Sequence, residues 1–371
     1  MNIIKITEII IFSVIMVFMV GCTDTNNKES VQVQEEISSS ITIVDCANRE
    51  VVLEKKAERI IDLTYLEGVR TLIELNADHL LVGMSANDHH GFILGGPLKD
   101  VYKTAINSSP QLNELPNVGS YKEPNIEKII SLKPDLILVM PNQKEQANTL
   151  SKQLNIPVIC VGGNGTFNLE MFNIVGKAIG KEDRANELIE FTNGKIEKVR
   201  NITDKISMED KKSIFYLVRT LGDPVTNGRY EGFDIAGAVN VANQGESTPY
   251  DKYAITKEQI VEWNPDIILK QTPTTKDVEG YHTMETIKND PIFKTIKAVK
   301  NNQIYSVKGQ MRGYDIANEL AEIFYVAKLL YPNEFQELDV EKEGNEILKK
   351  FYNVDGLYTK MSNAIGLYEW E

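Results

Sequence analysis

One pattern of apolar and polar positions occurs twice along this chain. Residues 124–138 read PNIEKIISLKPDLIL, and residues 255–269 read ITKEQIVEWNPDIIL. The copies are 131 positions apart, and six of their fifteen positions are identical, among them Glu127 and Glu258. In each copy a potential capping residue precedes apolar residues at helical spacing, and Pro-Asp then precedes an apolar run. Because proline cannot continue a helix, each copy predicts a helix followed by a buried strand, and the chain should form two similar lobes.

Strand and helix patterns also alternate outside the repeat. Strands are predicted at 60–63, 80–84, 157–161 and 213–218, and helices at 65–75, 144–154 and 311–331. Two alternating segments around Asn48-Arg49 predict an opening hairpin. Residues 181–205 keep apolar residues at helical spacing with charges between them. A helix of about 20 residues is about 30 Å long, so this segment is predicted to bridge two α/β lobes.

Residues 1–21 have the pattern of a signal peptide. The almost wholly apolar run at 9–20 follows Lys5 and is too short to span a bilayer comfortably. It ends in the letters MVGC, which resemble the lipobox of bacterial lipoproteins. That resemblance implies that Cys22 is lipidated and that residues 22–40 form a flexible polar tether. The alternative is a short membrane anchor with an incidental cysteine.

The composition is that of an acidic globular protein. Of the 371 residues, 42% are hydrophobic and 25% are charged, and the formal net charge is −13. Such an acidic chain disfavours nucleic acid as a partner. Three cysteines do not form a disulfide framework, and no nucleophile elbow, phosphate-binding glycine loop or HExxH motif is present. The sequence therefore predicts neither an enzyme nor a resident cofactor.

Several motifs occur in an order that resembles a known family. They are the lipobox-like segment, DCANREVVLEKKAERIIDL, the two repeat copies, the bridging-helix pattern and IFKTIKAVKNNQIYSVKG. Together they resemble the helical-backbone (class III) substrate-binding proteins of ABC importers, which capture iron-siderophores, haem or vitamin B12. The resemblance implies two Rossmann-like lobes with central, mostly parallel sheets, joined by one long α-helix, with the ligand in a cleft between them.

The resemblance also implies a domain organisation for the chain. The expected parts are an N-terminal lobe at 41–168, a bridging helical segment at 169–207, a C-terminal lobe at 208–332 and a C-terminal helical extension at 333–371. The chain departs from the family in the opening hairpin, where Cys46-Ala47 replaces the residue-Gly pair that commonly precedes the arginine. It also has a long insertion at 89–103, so the ligand stays open.

The repeated glutamates have an implied role in this family. Each lobe presents one surface glutamate, and the pair enters arginine-bearing pockets on the two permease subunits of the importer. Glu127 and Glu258 match these positions, and a carboxylate suits bidentate pairing with arginine. The alternative is that both glutamates only complement the dipoles of their helices. The expected protein is a monomer, lipid-anchored on the outer face of the cytoplasmic membrane, with the permease and, through it, the ATPase as partners.

Candidate ligand-binding residues follow the predicted strands. They are Tyr65, His89, His90, Arg219, Arg229, Tyr230, Arg312 and Tyr314. Guanidinium groups pair with oxygen donors and tyrosine rings stack on flat ligands, so the expected cargo is an Fe(III) chelate of the siderophore type, or haem. The histidine pair could instead lie in a solvated loop, Arg219 and Arg312 could form stabilising ion pairs, and Tyr314 could face the core from its helix.

Other functions fit the same sequence less well. A corrinoid or another metal complex could replace the iron chelate as cargo. A two-lobed α/β metal-cluster enzyme would need more than the scattered cysteines and four histidines present. A zinc- or manganese-binding lipoprotein would need a histidine constellation, which is lacking. A surface adhesin is a further alternative.

Overall fold

The computed structural model describes residues 40–86, 109, 112, 114–163, 167–219, 224–243, 252–272, 283–309 and 315–370; for Arg219 it describes the backbone alone. Its strands are β1 (Ile41–Val44), β2 (Glu50–Leu53), β3 (Ile60–Asp62), β4 (Leu81–Met84), β5 (Leu136–Val139), β6 (Val158–Cys160), β7 (Ser213–Arg219), β8 (Val225–Asn227), β9 (Val239–Asn240), β10 (Lys252–Ala254), β11 (Ile267–Gln271) and β12 (Ile304–Val307).

The α-helices alternate with these strands in the first two thirds of the chain and then dominate its last third. They are α1 (Glu67–Glu74), α2 (Ile126–Leu132), α3 (Lys144–Leu154), α4 (Glu170–Ile179), α5 (Glu182–Thr203), α6 (Glu231–Ile235), α7 (Lys257–Trp263), α8 (Met284–Asn289), α9 (Lys297–Lys300), α10 (Ile316–Leu330), α11 (Val340–Tyr352) and α12 (Leu357–Ile365). Among the described residues, none of these helices is both long and apolar enough to cross a membrane.

The first lobe is built on a parallel sheet with the strand order β4-β3-β5-β6. Strands β3, β5 and β6 are buried at every position. Helices cover both faces of such a sheet, which is why these strands are continuous apolar runs in the sequence. The burial of both strand faces that was predicted from the repeat is therefore confirmed in this lobe.

The opening hairpin is fixed to the first lobe by a charged turn. Asn48 adopts a φ of 56° between β1 and β2. The Asp45 carboxylate accepts hydrogen bonds from the Arg49 guanidinium at 2.7 Å and from the backbone N–H of Cys160 at 2.9 Å. Burial acts to raise the pKa of Asp45, but the Cys160 and Arg49 hydrogen bonds outweigh it, so the pKa is lowered. Arg49 also donates to the carbonyl oxygen of Val158, so the turn connects the hairpin to β6.

The second lobe is built on a mixed sheet. Its strand order is β10-β8-β7-β11-β12, with β9 pairing beside β7. The central strands β7, β11 and β12 are parallel to one another, whereas β8 and β10 are antiparallel additions at one edge. The structure thus has two α/β lobes with central, mostly parallel sheets, as expected.

Helix α5 is the bridge predicted from the sequence. It has 22 residues, which corresponds to about 33 Å, and it runs from the end of the first lobe to the start of the second. Gly194 lies within it, and a Cβ atom there would meet nothing within 4 Å. The glycine therefore faces open space and does not interrupt the helix.

Helix α11 lies along this bridge. The Lys195 and Lys198 ammonium groups each lie 2.6 Å from a carboxylate oxygen of Glu343, whose side chain is almost fully buried. Further along, the Phe351 ring packs at 6.3 Å from Phe191 of the bridge and at 6.2 Å from Phe172 of α4. Residues after 332 thus form a second helical layer against the bridge. The many charged residues of that segment did not indicate this packing.

The repeat folds as two closely similar units. Asn125 caps α2 by accepting from Lys128 N–H at 2.9 Å, and Thr256 caps α7 by accepting from Gln259 N–H at 3.1 Å. Each helix has seven residues and ends at a residue with positive φ, 49° at Lys133 in the first copy. Both the capping and the helix-then-strand order predicted from the sequence are confirmed.

The Pro-Asp pair has a structural role that the sequence pattern did not show. In the first copy the Asp135 carboxylate accepts the backbone N–H groups of Glu58 and Arg59, immediately before β3, at 3.1 and 2.8 Å. In the second copy the Asp266 carboxylate accepts the backbone N–H and the hydroxyl of Ser213, the first residue of β7, at 2.9 and 2.8 Å. Each aspartate therefore connects the repeat to a strand of the central sheet of its lobe, β3 in the first lobe and β7 in the second.

Candidate functional site

The two lobes meet in a buried polar seam, which we define as Arg70, Lys308, Asp315 and Tyr352. Arg70 lies on α1 in the first lobe, and its Nε is 3.8 Å from Oδ2 of Asp315. Lys308 follows β12 in the second lobe, and its Nζ is 3.7 Å from the same oxygen. The Tyr352 hydroxyl donates to Oδ1 at 2.9 Å. All four residues are buried, so the seam joins both lobes and the C-terminal segment away from water.

Asp315 is the anionic centre of the seam and the cap of α10. Its carboxylate accepts the backbone N–H of Asn318 at 3.1 Å and the Asn318 amide at 2.8 Å. Burial acts to raise the pKa of Asp315, but Lys308, Arg70 and the Asn318 hydrogen bonds outweigh it and lower the pKa to about 2. Asp315 is therefore ionised at every physiological pH.

Two glutamates near the seam have the opposite behaviour. Burial, together with the negative charge of Asp315, raises the pKa of Glu74 well above its usual range. Burial also raises the pKa of Glu322, although the Gly309 N–H and the Tyr230 hydroxyl donate to its carboxylate at 2.9 and 2.8 Å. The seam carboxylate of Asp315 is thus held ionised, whereas the two glutamates beside the seam are biased towards the protonated form.

Buried polar side chains also follow the strands of both sheets. Carboxyl ends of parallel strands in α/β sheets are the usual place for ligands. Thr64 follows β3 and Ser85 follows β4 in the first lobe, whereas Thr272 follows β11 and Lys308 follows β12 in the second. All four are less than a tenth exposed. Arg70, on the helix that follows β3, and Lys308, directly after β12, both face Asp315, so these two elements meet at the seam.

The backbone at the end of β3 is strained. Leu66 caps α1 with a φ of 78° and a ψ of −18°, although its side chain is buried. A bulky L-residue rarely adopts a positive φ, and such conformations concentrate at functional sites. This strained residue directly follows Tyr65, which the sequence analysis placed near the ligand.

Tyr65 lies at the rim of the first-lobe edge. It is half-buried, and its ring packs edge-on against the Tyr121 ring with centroids 6.2 Å apart. The backbone carbonyl of Tyr121 accepts from the Gln143 amide at 2.7 Å, which fixes this loop beside the end of β5. Tyr65 thus lies shortly after β3 beside Tyr121, which the sequence analysis did not select, and its contact with a ligand stays a prediction.

The second-lobe candidates are separated by the structure. Arg229 is exposed, and its backbone N–H donates to the Asn227 side chain at 2.9 Å. Tyr230 is only 1% exposed; it stacks on Tyr216 and donates its hydroxyl to Glu322. The Tyr230 ring therefore belongs to the core beneath the strand ends and not to an open ligand surface. Arg219 ends β7, so its backbone lies at the carboxyl edge as expected.

Other sequence candidates lie outside the described residues. They are Cys22, His89, His90, Arg312 and Tyr314. The site residues that the sequence analysis did not select are Thr272, Lys308 and Tyr121, together with Ser85. Thr272 and Lys308 directly follow the observed strands β11 and β12, so the rule that places ligands at strand ends could have found them. Within the described ranges, no group of three or more His, Cys, Asp or Glu side chains is arranged to hold a metal ion.

Glu127 and Glu258 are exposed in the first turns of their helices. Among the described side chains, neither carboxylate forms an ion pair within 4.0 Å. Their matched placement follows from the repeat, since each occupies the second helical position after its capping residue. Both carboxylates are thus available to an external cation.

Comparison with known proteins identifies the family. The family model described as "Periplasmic binding protein" matches residues 88–311 of the chain. The molybdate-binding protein MolA of Haemophilus influenzae is 25% identical over 86% of this chain and 90% of its own length. The structure of MolA bound to molybdate, the cognate binding protein of an ABC transporter, matches with a TM-score of 0.66 and 22% identity over 85% of this chain and 98% of that chain.

Two proteins of Bacillus subtilis strain 168 are also similar. The uncharacterized ABC transporter substrate-binding lipoprotein YvrC is 25% identical over 86% of this chain and 95% of its own length. The Fe(3+)-citrate-binding protein YfmC is 25% identical over 77% of this chain and 83% of its own length. These relatives are transport proteins and not enzymes, in agreement with the absence of a catalytic motif. The chain, with its two α/β lobes and buried polar seam, belongs to the periplasmic binding protein family of ABC-transporter substrate-binding proteins.

Proposed function

We propose that this protein captures an Fe(III) chelate of the siderophore type outside the cytoplasm and delivers it to an ABC importer. The observation that supports this cargo most directly is the Tyr65–Tyr121 pair at the rim of the first lobe. A large chelate needs an apolar and aromatic contact surface above the polar groups that fix its orientation. The half-buried rings supply that surface, and buried Thr64, Ser85 and Thr272 lie at the adjoining strand ends.

A basic group at these strand ends suits an anionic ligand. Arg219 ends β7, and Lys308, whose ammonium also lies 3.7 Å from the Asp315 carboxylate, is at the carboxyl end of β12. Carboxylate or catecholate oxygens of a ferric chelate would gain charge-assisted hydrogen bonds from such cations. The similarity to the Fe(3+)-citrate-binding protein supports the same class of cargo. Haem, or a corrinoid, would use the aromatic rim in the same way.

Molybdate is a second candidate, favoured by the similarity to MolA over 86% of the chain. A small oxyanion would need the buried hydroxyl and ammonium donors alone, namely Thr64, Ser85, Thr272 and Lys308. It would make no use of the tyrosine pair at the rim. The two candidates therefore differ in whether Tyr65 contributes to affinity.

A binding titration separates these cargoes. Calorimetry and tyrosine fluorescence would be measured with ferric citrate, a ferric catecholate, a ferric hydroxamate, haem, cyanocobalamin, molybdate, Zn²⁺ and Mn²⁺. We expect saturable binding of a ferric chelate and an affinity roughly tenfold lower in Tyr65→Leu, about the effect of losing one stacked aromatic ring. Tyr368→Leu is the matched control, because Tyr368 is 48% exposed in the C-terminal segment.

The outcomes are distinct. Molybdate binding at full affinity in Tyr65→Leu, without chelate binding, would replace the chelate proposal by the oxyanion one. Binding of free Zn²⁺ or Mn²⁺ alone would contradict both. Chemical turnover of the bound compound would contradict the assignment as a transport component.

Delivery is proposed to use the two repeated glutamates. Glu127 from the first lobe and Glu258 from the second would each enter a basic pocket on one of the two permease subunits. Both lobes would then be positioned on the importer at the same time. The exposure of both carboxylates and their matched place in the repeat support this role. We expect Glu127→Ala combined with Glu258→Ala to keep ligand affinity and to abolish uptake. Undiminished uptake would contradict the role.

The amino-terminal segment is proposed to place the protein at the membrane. Residues 1–21 would be removed as a signal peptide, Cys22 would carry the lipid, and residues 22–40 would serve as the tether to the lobes. The similarity to a protein named as a lipoprotein supports this reading. Release of Cys22→Ser into the medium, with the unmodified protein retained on membranes, is the expected result. Equal retention of both would contradict the lipid anchor.

A further inference from the structure

An exposed isoleucine accompanies the repeated glutamate of the first lobe. Ile130 is 56% exposed, whereas the preceding Ile129 is fully buried in the core. Ile130 lies three positions after Glu127 in α2, and side chains three positions apart share a helix face. The carboxylate and the aliphatic side chain therefore form one mixed surface. One exposed isoleucine is ordinary in a protein of this size. The pairing of glutamate with isoleucine is therefore informative only if the second lobe has it as well.

The second lobe also has an exposed isoleucine near its glutamate, but this isoleucine comes from a different element. The helix position equivalent to Ile130 is Val261, which is half-buried against the second core. Ile292, in the turn after α8, is instead 37% exposed. That turn is fixed beside the first turn of α7, because the Lys257 ammonium lies 2.5 Å from a carboxylate oxygen of Asp290.

The other carboxylate oxygen of Asp290 accepts the backbone N–H of Ile292 at 2.8 Å. Ile292 is thus held at the end of the lobe where Lys257 and the adjacent Glu258 begin α7. Each lobe therefore presents one exposed carboxylate and one exposed isoleucine, although the isoleucine comes from the helix in one lobe and from a neighbouring turn in the other.

We propose that Glu127 with Ile130, and Glu258 with Ile292, form two mixed contacts with the permease subunits. This inference rests on the proposed docking function and specifies the partner surface as a basic pocket bordered by apolar side chains. An ion pair open to water contributes little to affinity. Apolar neighbours that exclude water strengthen the pair and add their own burial, which is how small interfaces obtain their affinity. Each isoleucine covers the rim of its pocket.

The test uses the full-length protein and its own permease–ATPase complex in lipid nanodiscs. Affinity would be measured by biolayer interferometry, and coupling by stimulation of ATP hydrolysis, for Ile130→Ser and Ile292→Ser. We expect each change to weaken binding roughly five- to tenfold, in line with the loss of a partly buried aliphatic side chain. Met208→Ser is the matched control with no expected change, since Met208 is 73% exposed after the bridging helix.

Ionic strength provides a second readout. The loss caused by Glu127→Ala should shrink as salt is raised from about 0.05 to about 0.5 M, because salt screens exposed charges. The loss caused by Ile130→Ser should persist over the same range. If the glutamate variants weaken binding while the isoleucine variants match Met208→Ser, the inference is overturned and the docking role stands. If the glutamate variants also leave binding unchanged, both are overturned.

Discussion

The outward faces of the two lobes are alike, whereas the surfaces where the lobes meet are not. On the outside, α2 and α7 share length, capping, a first-turn glutamate and a following aspartate that connects to a strand of the central sheet of the lobe. In the seam, an arginine from the first lobe faces a lysine and an aspartate from the second. Matched faces suit a partner with two similar subunits, and unmatched strand ends suit one asymmetric ligand.

The seam should be the more costly region to break. Asp315→Ala would remove the carboxylate that Arg70 and Lys308 both face inside the protein, and it would remove the hydrogen bond from Tyr352. Removing one partner of a buried pair costs about 3–5 kcal/mol of unfolding free energy. Urea denaturation followed by tyrosine fluorescence would measure the loss.

Asp339→Ala is the matched control for that change. Asp339 also caps a helix, accepting from Lys342 N–H at 2.9 Å, but it is exposed and has no buried cation. Its loss should cost about 1 kcal/mol. Equal effects of the two variants would show that the seam contributes no more than a helix cap.

Substitutions in the repeat should lower the unfolding free energy less than Asp315→Ala does, and the two copies should differ in the size of the loss. Asp135→Ala removes a carboxylate that accepts backbone N–H groups, and we expect a loss of about 1–2 kcal/mol. Asp266→Ala also removes an ion pair with Lys297, so a loss of about 2–3 kcal/mol is expected. The same urea titration compares them. A larger loss in Asp135→Ala would mean that the two copies do not share this role.

Acid titration should distinguish Asp315 of the seam from Glu74 beside it. Asp315 has a folded pKa of about 2, below its unfolded value, so its contribution is present above about pH 4 and is lost as the pH falls towards 2. Glu74 has a raised pKa, so it binds its proton more tightly in the folded state. The stability that it contributes in acid is therefore lost as the pH rises above about 4.4.

Glu74→Gln tests the expected loss of stability from Glu74 as the pH rises. The variant should gain stability relative to the unmodified protein as the pH rises towards neutral, because the buried amide has no charge to desolvate. Glu190→Gln, at an exposed position of α5, is the control. Parallel pH profiles of Glu74→Gln and the unmodified protein, measured as unfolding free energy, would contradict a raised pKa.

The smallest expected effect is the movement of one lobe relative to the other on ligand binding. We expect the radius of gyration measured by small-angle scattering to change by less than about 1 Å on ligand addition, since packed helices at a lobe junction slide by small amounts. Glu343→Ala, which removes the contacts to Lys195 and Lys198, should increase the change. A compaction of several ångströms in the unmodified protein would rule out a stiff bridge.

The periodic parts of this fold could be predicted from the sequence, and the parts formed by distant residues could not. Helices α3 and α5 and strands β3 and β5 follow from local spacing and from proline positions. The seam depends on residues 70, 308, 315 and 352, which no local pattern connects. Tyr230 is a case in which the local pattern suggested a role that the tertiary packing does not support. Its position after a strand suggested a ligand contact, but packing against Tyr216 and Glu322 buries it.

The layer that α11 adds to the bridge bears on how an importer could recognise a loaded binding protein. Two helices fixed side by side by Glu343, and held to the first lobe by the Phe351–Phe172 contact, resist bending far more than one helix does. A permease that holds both lobes would then sense almost no difference in the spacing of its two anchors between the loaded and empty forms. Discrimination would have to come from the ligand itself and from the strand-end residues around it, at the centre of the complex and not at its two ends.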